Sequence, residues 1–167
     1  MKNDRVIHLT DECFEHDFQL VDDVSDLLLR VIAEDAMDEY ARSTRRDMQV
    51  YMKRVIQQGG ANAVLCAIDE TGTAVGVLVV ERLGKSAVKV GMLACSKDAR
   101  PNTAVMLMAE AVKLCRVNEV KYCYTTFTPA NPPHRLHGRM GFRAVVGTYR
   151  TSMQDAEDGL KKWVGGR

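Results

Sequence analysis

Residues 93–128, LACSKDARPNTAVMLMAEAVKLCRVNEVKYCYTTFT, continue into 129–142, PANPPHRLHGRMGF, and this stretch carries the pattern that decides the fold. It opens as the end of an apolar strand. SKDARPNT is polar and turn-forming, with Pro101 placed to precede or open a helix. Thr103 to Val117 is apolar on most faces (Ala104, Val105, Met106, Leu107, Met108, Ala111), which predicts a helix sandwiched between layers. Asn118 stands where a left-handed cap is expected, and Val120 to Phe127 reads as a second strand. Strand, helix and strand in that order predict a parallel pair joined by a right-handed crossover. Pro129 to Pro133 breaks the chain, and Pro133 to Met140 reads as a short helix ended by Gly141.

Working outward, Arg5 to Leu9 reads as a strand and Asp17 to Glu34 as an amphipathic helix, with Leu20, Val24, Leu27 and Val31 on one face. The acidic stretch EDAMDEY (34–40) reads as a solvated connection or as a loop that attracts a cation. A second helix starts near Thr44, whose Thr-x-x-Asp pattern with Asp47 resembles a capping box, and stops at Gly59-Gly60. Three apolar runs, 62–69, 74–82 and 87–95, are joined by short turns and predict an antiparallel meander. One or two strands follow in 142–153. The expected organisation is a single domain over 1–153 with a peripheral C-terminal tail, 154–167.

Composition narrows the function classes. The chain has 167 residues and 46% hydrophobic residues, enough for a substantial core. A formal net charge of +1 argues against a dedicated nucleic-acid or membrane-surface binder. Five widely spaced cysteines without a Cys-x-x-Cys pair favour a reducing compartment, so a cytoplasmic location is expected. The N-terminal MKNDRVIHLTDE lacks an apolar core of signal-peptide length, and no run is long enough to span a bilayer. No metal-ligand spacing is present among the histidines and cysteines. Element order and composition together predict an α+β domain with a central mixed β-sheet.

From Leu93 onward the sequence resembles the GNAT superfamily of N-acetyltransferases. The resemblance rests on the strand end Leu93–Cys95, the Arg-led loop Arg100-Pro101-Asn102-Thr103-Ala104-Val105, and the closing Leu136-His137-Gly138-Arg139-Met140-Gly141-Phe142. It implies a GNAT-like fold, with helices on both faces of the sheet. It also implies that acetyl-CoA is the cosubstrate, with its pyrophosphate on the loop amides and the helix start from Arg100 to Val105, where unpaired N–H groups and the helix dipole favour an anion. The family's glycines fall on Thr103 and Val105, and a hydroxyl donor from Thr103 is the expected substitute. Main-chain groups of Leu93, Ala94 and Cys95 are expected to hold pantetheine and polarise the carbonyl, with Asn131, His134 and Arg139 also at the cofactor.

The family's tyrosine acid falls on His137, whose imidazole can reprotonate a thiolate. A surface histidine is the competing reading. Glu81 and Tyr124 are the candidates for deprotonating the amine, against the reading of Glu81 as an exposed strand end. Arg135, Arg139 and Arg143, spaced four apart, suit a phosphate or are a solvated cationic face. The implied reaction is direct attack of a small-molecule or protein amine on the thioester; the alternative is a GNAT-fold binding or assembly protein without turnover. The acidic 34–40 stretch leans towards a cationic amine, and the family's habit of pairing leaves a homodimer open.

Overall fold

The computed structural model describes residues 4–34, 43–125, 135–145 and 148–165. The elements follow as β1 (Arg5–His8), α1 (Asp11–His16), α2 (Phe18–Glu34), α3 (Arg45–Gln58), β2 (Ala63–Ile68), β3 (Ala74–Arg82) and β4 (Ala87–Cys95). After these come α4 (Thr103–Val117), β5 (Tyr122–Thr125), α5 (Arg135–Arg139), β6 (Arg143–Val145), β7 (Thr148–Ser152) and α6 (Met153–Gly165). The strands form one mixed sheet in the order β1-β2-β3-β4-β5-β7-β6, antiparallel throughout except between β4 and β5. The fold class is α+β, as expected, with helices on both faces.

The alternation of side chains along the strands divides the core between those faces. Leu65, Leu78, Val88 and Val90 pack beneath α4 with Leu107, Met108 and Ala111. Val64, Cys66, Val77 and Val79 pack beneath α2 and α3 with Val24, Leu28, Met52 and Val55. The α3 start is a full capping box: Thr44 accepts from the Asp47 amide and the Asp47 carboxylate accepts from the Thr44 amide.

Three details depart from the expectations. Residues 11–16 form a helix of their own before α2. The left-handed backbone at the end of α4 falls on Glu119 (φ 58°), whereas Asn118 has φ −98°. The segment 154–167, expected as a peripheral tail, is instead largely α6, which buries Met153, Ala156 and Leu160 in the core beneath α4. It approaches α5 so closely that a Cβ on Gly159 would stand 1.9 Å from the Arg139 carbonyl oxygen. Periodicity from residue 153 onward supports such a helix, but the polar composition of DAEDGLKK hides that its apolar side is needed to cover α4.

Candidate active site

The sheet opens where β4 and β5 part. Their parallel pairing covers Ala87↔Tyr122, Val88↔Cys123 and Lys89↔Tyr124, and β4 then runs on to Cys95 without a β5 partner among the described residues. Within that free length Met92 has φ 41°, and the register against β3 slips, so that Val77 faces Ala94 while Val79 faces Gly91. This is a β-bulge: an extra residue bends the strand and reverses which side chains face which layer. Val88 and Val90 pack under α4 before the bulge; after it Leu93 and Cys95 do, while Met92 and Ala94 turn to α2 and α3. A non-glycine residue held at positive φ marks a strained position. The bulge sits at the open edge of the gap.

Beyond β4 the Arg100 loop leads into α4. Thr103 is 1% exposed, and its hydroxyl donates to Asp4 Oδ2 at 2.9 Å. The expectation that this hydroxyl serves a phosphate is corrected here, because it is committed inward. Its Cγ2 also meets the sheet, 2.9 Å from where a Cβ on Gly76 would stand. The Val105 side chain of α4 is also buried, in the core between that helix and the sheet. Both residues in place of the family's glycines therefore keep their side chains off the outer surface of the loop. The Thr103 amide bonds the Arg100 carbonyl and the Met106 amide bonds that of Asn102, leaving the Ala104 and Val105 amides as helix-start donors. Arg100 is half-exposed and its Nε lies 3.5 Å from Asp4 Oδ1, so one buried carboxylate holds both ends of the loop. Pro101 and Asn102 occupy the turn between.

On the other side of this loop lies a recess of about 390 Å³ lined by Asp23, Asp26, Arg30, Asp69, Ser96 and Asp98. Asp26 is gripped by Arg45 and Asp69 Oδ1 accepts from Thr71 and Thr73, and the charge of these carboxylates disfavours an anion there. Arg30 donates to the Cys95 carbonyl at 2.5 Å, tying α2 to the end of β4.

His137 is only 4% exposed, and its ring meets Phe142 edge-on with centroids 5.5 Å apart. The surface reading of this histidine is therefore excluded. Arg135 and Arg139 are exposed on α5, while Arg143 belongs to β6, so the three do not share one helix. Asn131 and His134 lie outside the described residues. Glu81 accepts a 2.8 Å hydrogen bond from the Tyr51 hydroxyl of α3, so it is not a bare strand end. Cross-strand register sets Glu81, Lys89 and Tyr124 side by side at the point where the gap opens.

Four of the thiols are poor nucleophiles. Burial pushes Cys66 up to about 12 and Cys115 up to about 11, and it raises Cys95 and Cys123 too, so none is a thiolate at neutral pH. Asp4, Arg30, Tyr51 and the bulge escaped the sequence reading. Only the bulge leaves a trace there, in the broken alternation of Gly91-Met92-Leu93.

No family model and no curated protein matches the chain. Among solved structures it is similar to a GNAT-family acetyltransferase from Staphylococcus aureus Mu50, at 13% identity and TM-score 0.64, over 90% of this chain and 99% of the other. It is similar to the GNAT N-acetyltransferase YhbS of Escherichia coli, solved with CoA, at 17% identity and TM-score 0.59, over 96% and 86%. A third is the PaiA N-acetyltransferase of Thermoplasma acidophilum, also with coenzyme A, at 11% identity and TM-score 0.58, over 89% and 96%. The chain has the GNAT fold. Among the described residues no helix is long and apolar enough to cross a membrane, and no group of side chains fits a metal ion.

Proposed function

We propose that this protein is an N-acyltransferase that moves an acetyl or short acyl group from acyl-CoA to an amine. The observation that carries this reading is the gap between β4 and β5, edged by the Met92 bulge and ending in the Arg100 loop. A strand edge without a partner among the described residues offers main-chain donors and acceptors to an extended pantetheine-like chain, as it would to another strand. Leu93, Ala94 and Cys95 border that edge. The Ala104 and Val105 amides, with Arg100, suit the pyrophosphate. Two solved neighbours of the same fold hold CoA, which supports the choice of cosubstrate.

In the proposed reaction the amine nitrogen attacks the thioester carbonyl, and the C–S bond breaks as the tetrahedral intermediate collapses. Main-chain amides near the bulge stabilise the oxyanion. Glu81, oriented by Tyr51, or Tyr124 takes the proton from the amine; His137 returns one to the leaving thiolate. Calorimetric titration with acetyl-CoA tests the reading. Binding that weakens at least about tenfold in Arg100→Ala supports it, and no binding at millimolar ligand sinks it. A binding module without turnover is the second reading, favoured by the grip of Asp4 on Arg100, and it predicts that no amine stimulates thiol release.

A further inference from the structure

One face of the sheet carries a row of cations past the mouth of the gap. Glu81, Lys89, Tyr124, Arg150 and Arg143 are successive register partners across β3, β4, β5, β7 and β6, so all five side chains leave the same face. The Tyr51–Glu81 hydrogen bond identifies it as the face carrying α2 and α3. Lys89 stands at the mouth of the gap. It is partly buried, and its Cε lies 3.8 Å from where a Cβ on Gly91 would be, so its stem runs along β4 towards the bulge.

The charges in this row are not balanced. Glu81 is directly opposite Lys89, yet its carboxylate is held by Tyr51, and no carboxylate comes within ion-pair distance of Lys89, Arg143 or Arg150 among the described residues. Arg150 lies over the Tyr122 ring, 4.9 Å from its centroid, and Arg54 of α3 over Tyr51, at 5.5 Å. A partly desolvated ammonium with no carboxylate in contact gains from a ligand that brings an anion to it.

We propose that the acceptor is an amine bearing an anionic oxygen group, a carboxylate or a phosphate, which Lys89 binds while the amine faces Glu81. The assignment rests on the acyl-transfer reading for the word acceptor, though the anion site itself does not. It reverses the lean towards a simple cationic amine that the acidic 34–40 stretch suggested; that stretch lies mostly outside the described residues.

Amide chemical-shift titrations of the ¹⁵N-labelled protein test it with three probes: N-acetylalanine, its neutral amide N-acetylalaninamide, and acetamidomethylphosphonate. Saturable shifts at Gly91 and Tyr124 are expected with one or both anions, at least about tenfold weaker with the neutral amide, lost in Lys89→Gln and recovered in Lys89→Arg. The tighter anion identifies carboxylate or phosphate. Equal binding of acid and amide, unchanged binding in Lys89→Gln, or no binding of any probe overturns the proposal. Acetyl-CoA titration of the same samples keeps the two readings apart. Anion-selective shifts without acetyl-CoA binding leave the site standing and remove the transferase reading. Acetyl-CoA binding without anion selectivity does the reverse.

Discussion

Thr103, at the start of α4, donates its hydroxyl hydrogen to Asp4, ninety-nine residues earlier in the chain, across 2.9 Å in a site closed to solvent. The same carboxylate meets Arg100. Asp4→Ala strands a buried hydroxyl and should cost about 1–3 kcal/mol in chemical denaturation. Asp4→Asn keeps an acceptor for Thr103 but drops the charge. It is expected to fold, to free Arg100, and to bind acetyl-CoA more tightly than the wild type; weaker binding would mean that Asp4 holds Arg100 in its working position.

Glu81 and Tyr51 should separate in their effects on turnover. Glu81→Gln is expected to lower kcat by about 100-fold or more if it is the base. Tyr51→Phe, which only releases the carboxylate, should cost less. Steady-state rates on an accepted amine decide this, and equal wild-type rates in Glu81→Gln would transfer the role to Tyr124.

His137→Gln should reduce kcat while leaving acetyl-CoA affinity within about twofold, since a proton donor acts in the transition state. The ring is packed against Phe142, so a thermal melt must accompany the kinetics. A rate that follows only the loss of folded protein would return His137 to a packing role.

Gly159→Ala places a methyl group 1.9 Å from the Arg139 carbonyl oxygen. It cannot be accommodated without moving α6 off α5. A loss of about 2 kcal/mol or more is expected by thermal or chemical denaturation, whereas Gly138→Ala, with open space around it, should stay near the wild type.

The buried thiols predict a falling stability on the alkaline side. Cys66 rises from an ordinary value near 9 to about 12 because burial penalises its thiolate, so the folded chain holds a proton that the unfolded chain has released. Stability from this group is complete below about pH 9 and is lost as pH climbs towards 12. Denaturation midpoints measured across that window should fall, and less steeply in Cys66→Ala. On the acidic side Asp26 runs the other way: the hydrogen bond from Arg45 lowers it, so its contribution is present at neutral pH and lost as pH drops through its lowered value.

Much of this architecture is legible along the chain because its causes are local. The apolar runs of β2 and β3 fill both faces of a central sheet position, Thr44 and Asp47 cap α3 within one turn, and the apolar perimeter of α4 announces a helix covered on more than one side. The candidate site is less legible. Lys89 is visible as one charge in an apolar strand, but its neighbours Glu81, Tyr124 and Arg150 come from three other strands, and only register makes them a row.

The sequence by itself determined the run from the β2–β4 meander through α4 to β5, the parallel step from β4 to β5 and the loop that opens α4, since hydrophobic period and turn chemistry act over a few residues. Tertiary structure alone decided where Thr103 and Val105 point, that His137 is buried, that α6 belongs to the core, and that the bulge at Met92 reverses the faces of β4. Those outcomes depend on contacts between residues far apart in the chain: Asp4 with Thr103, Arg139 with Gly159, and Val79 with Gly91. No short window contains both partners of such a contact, so packing rather than propensity selects it.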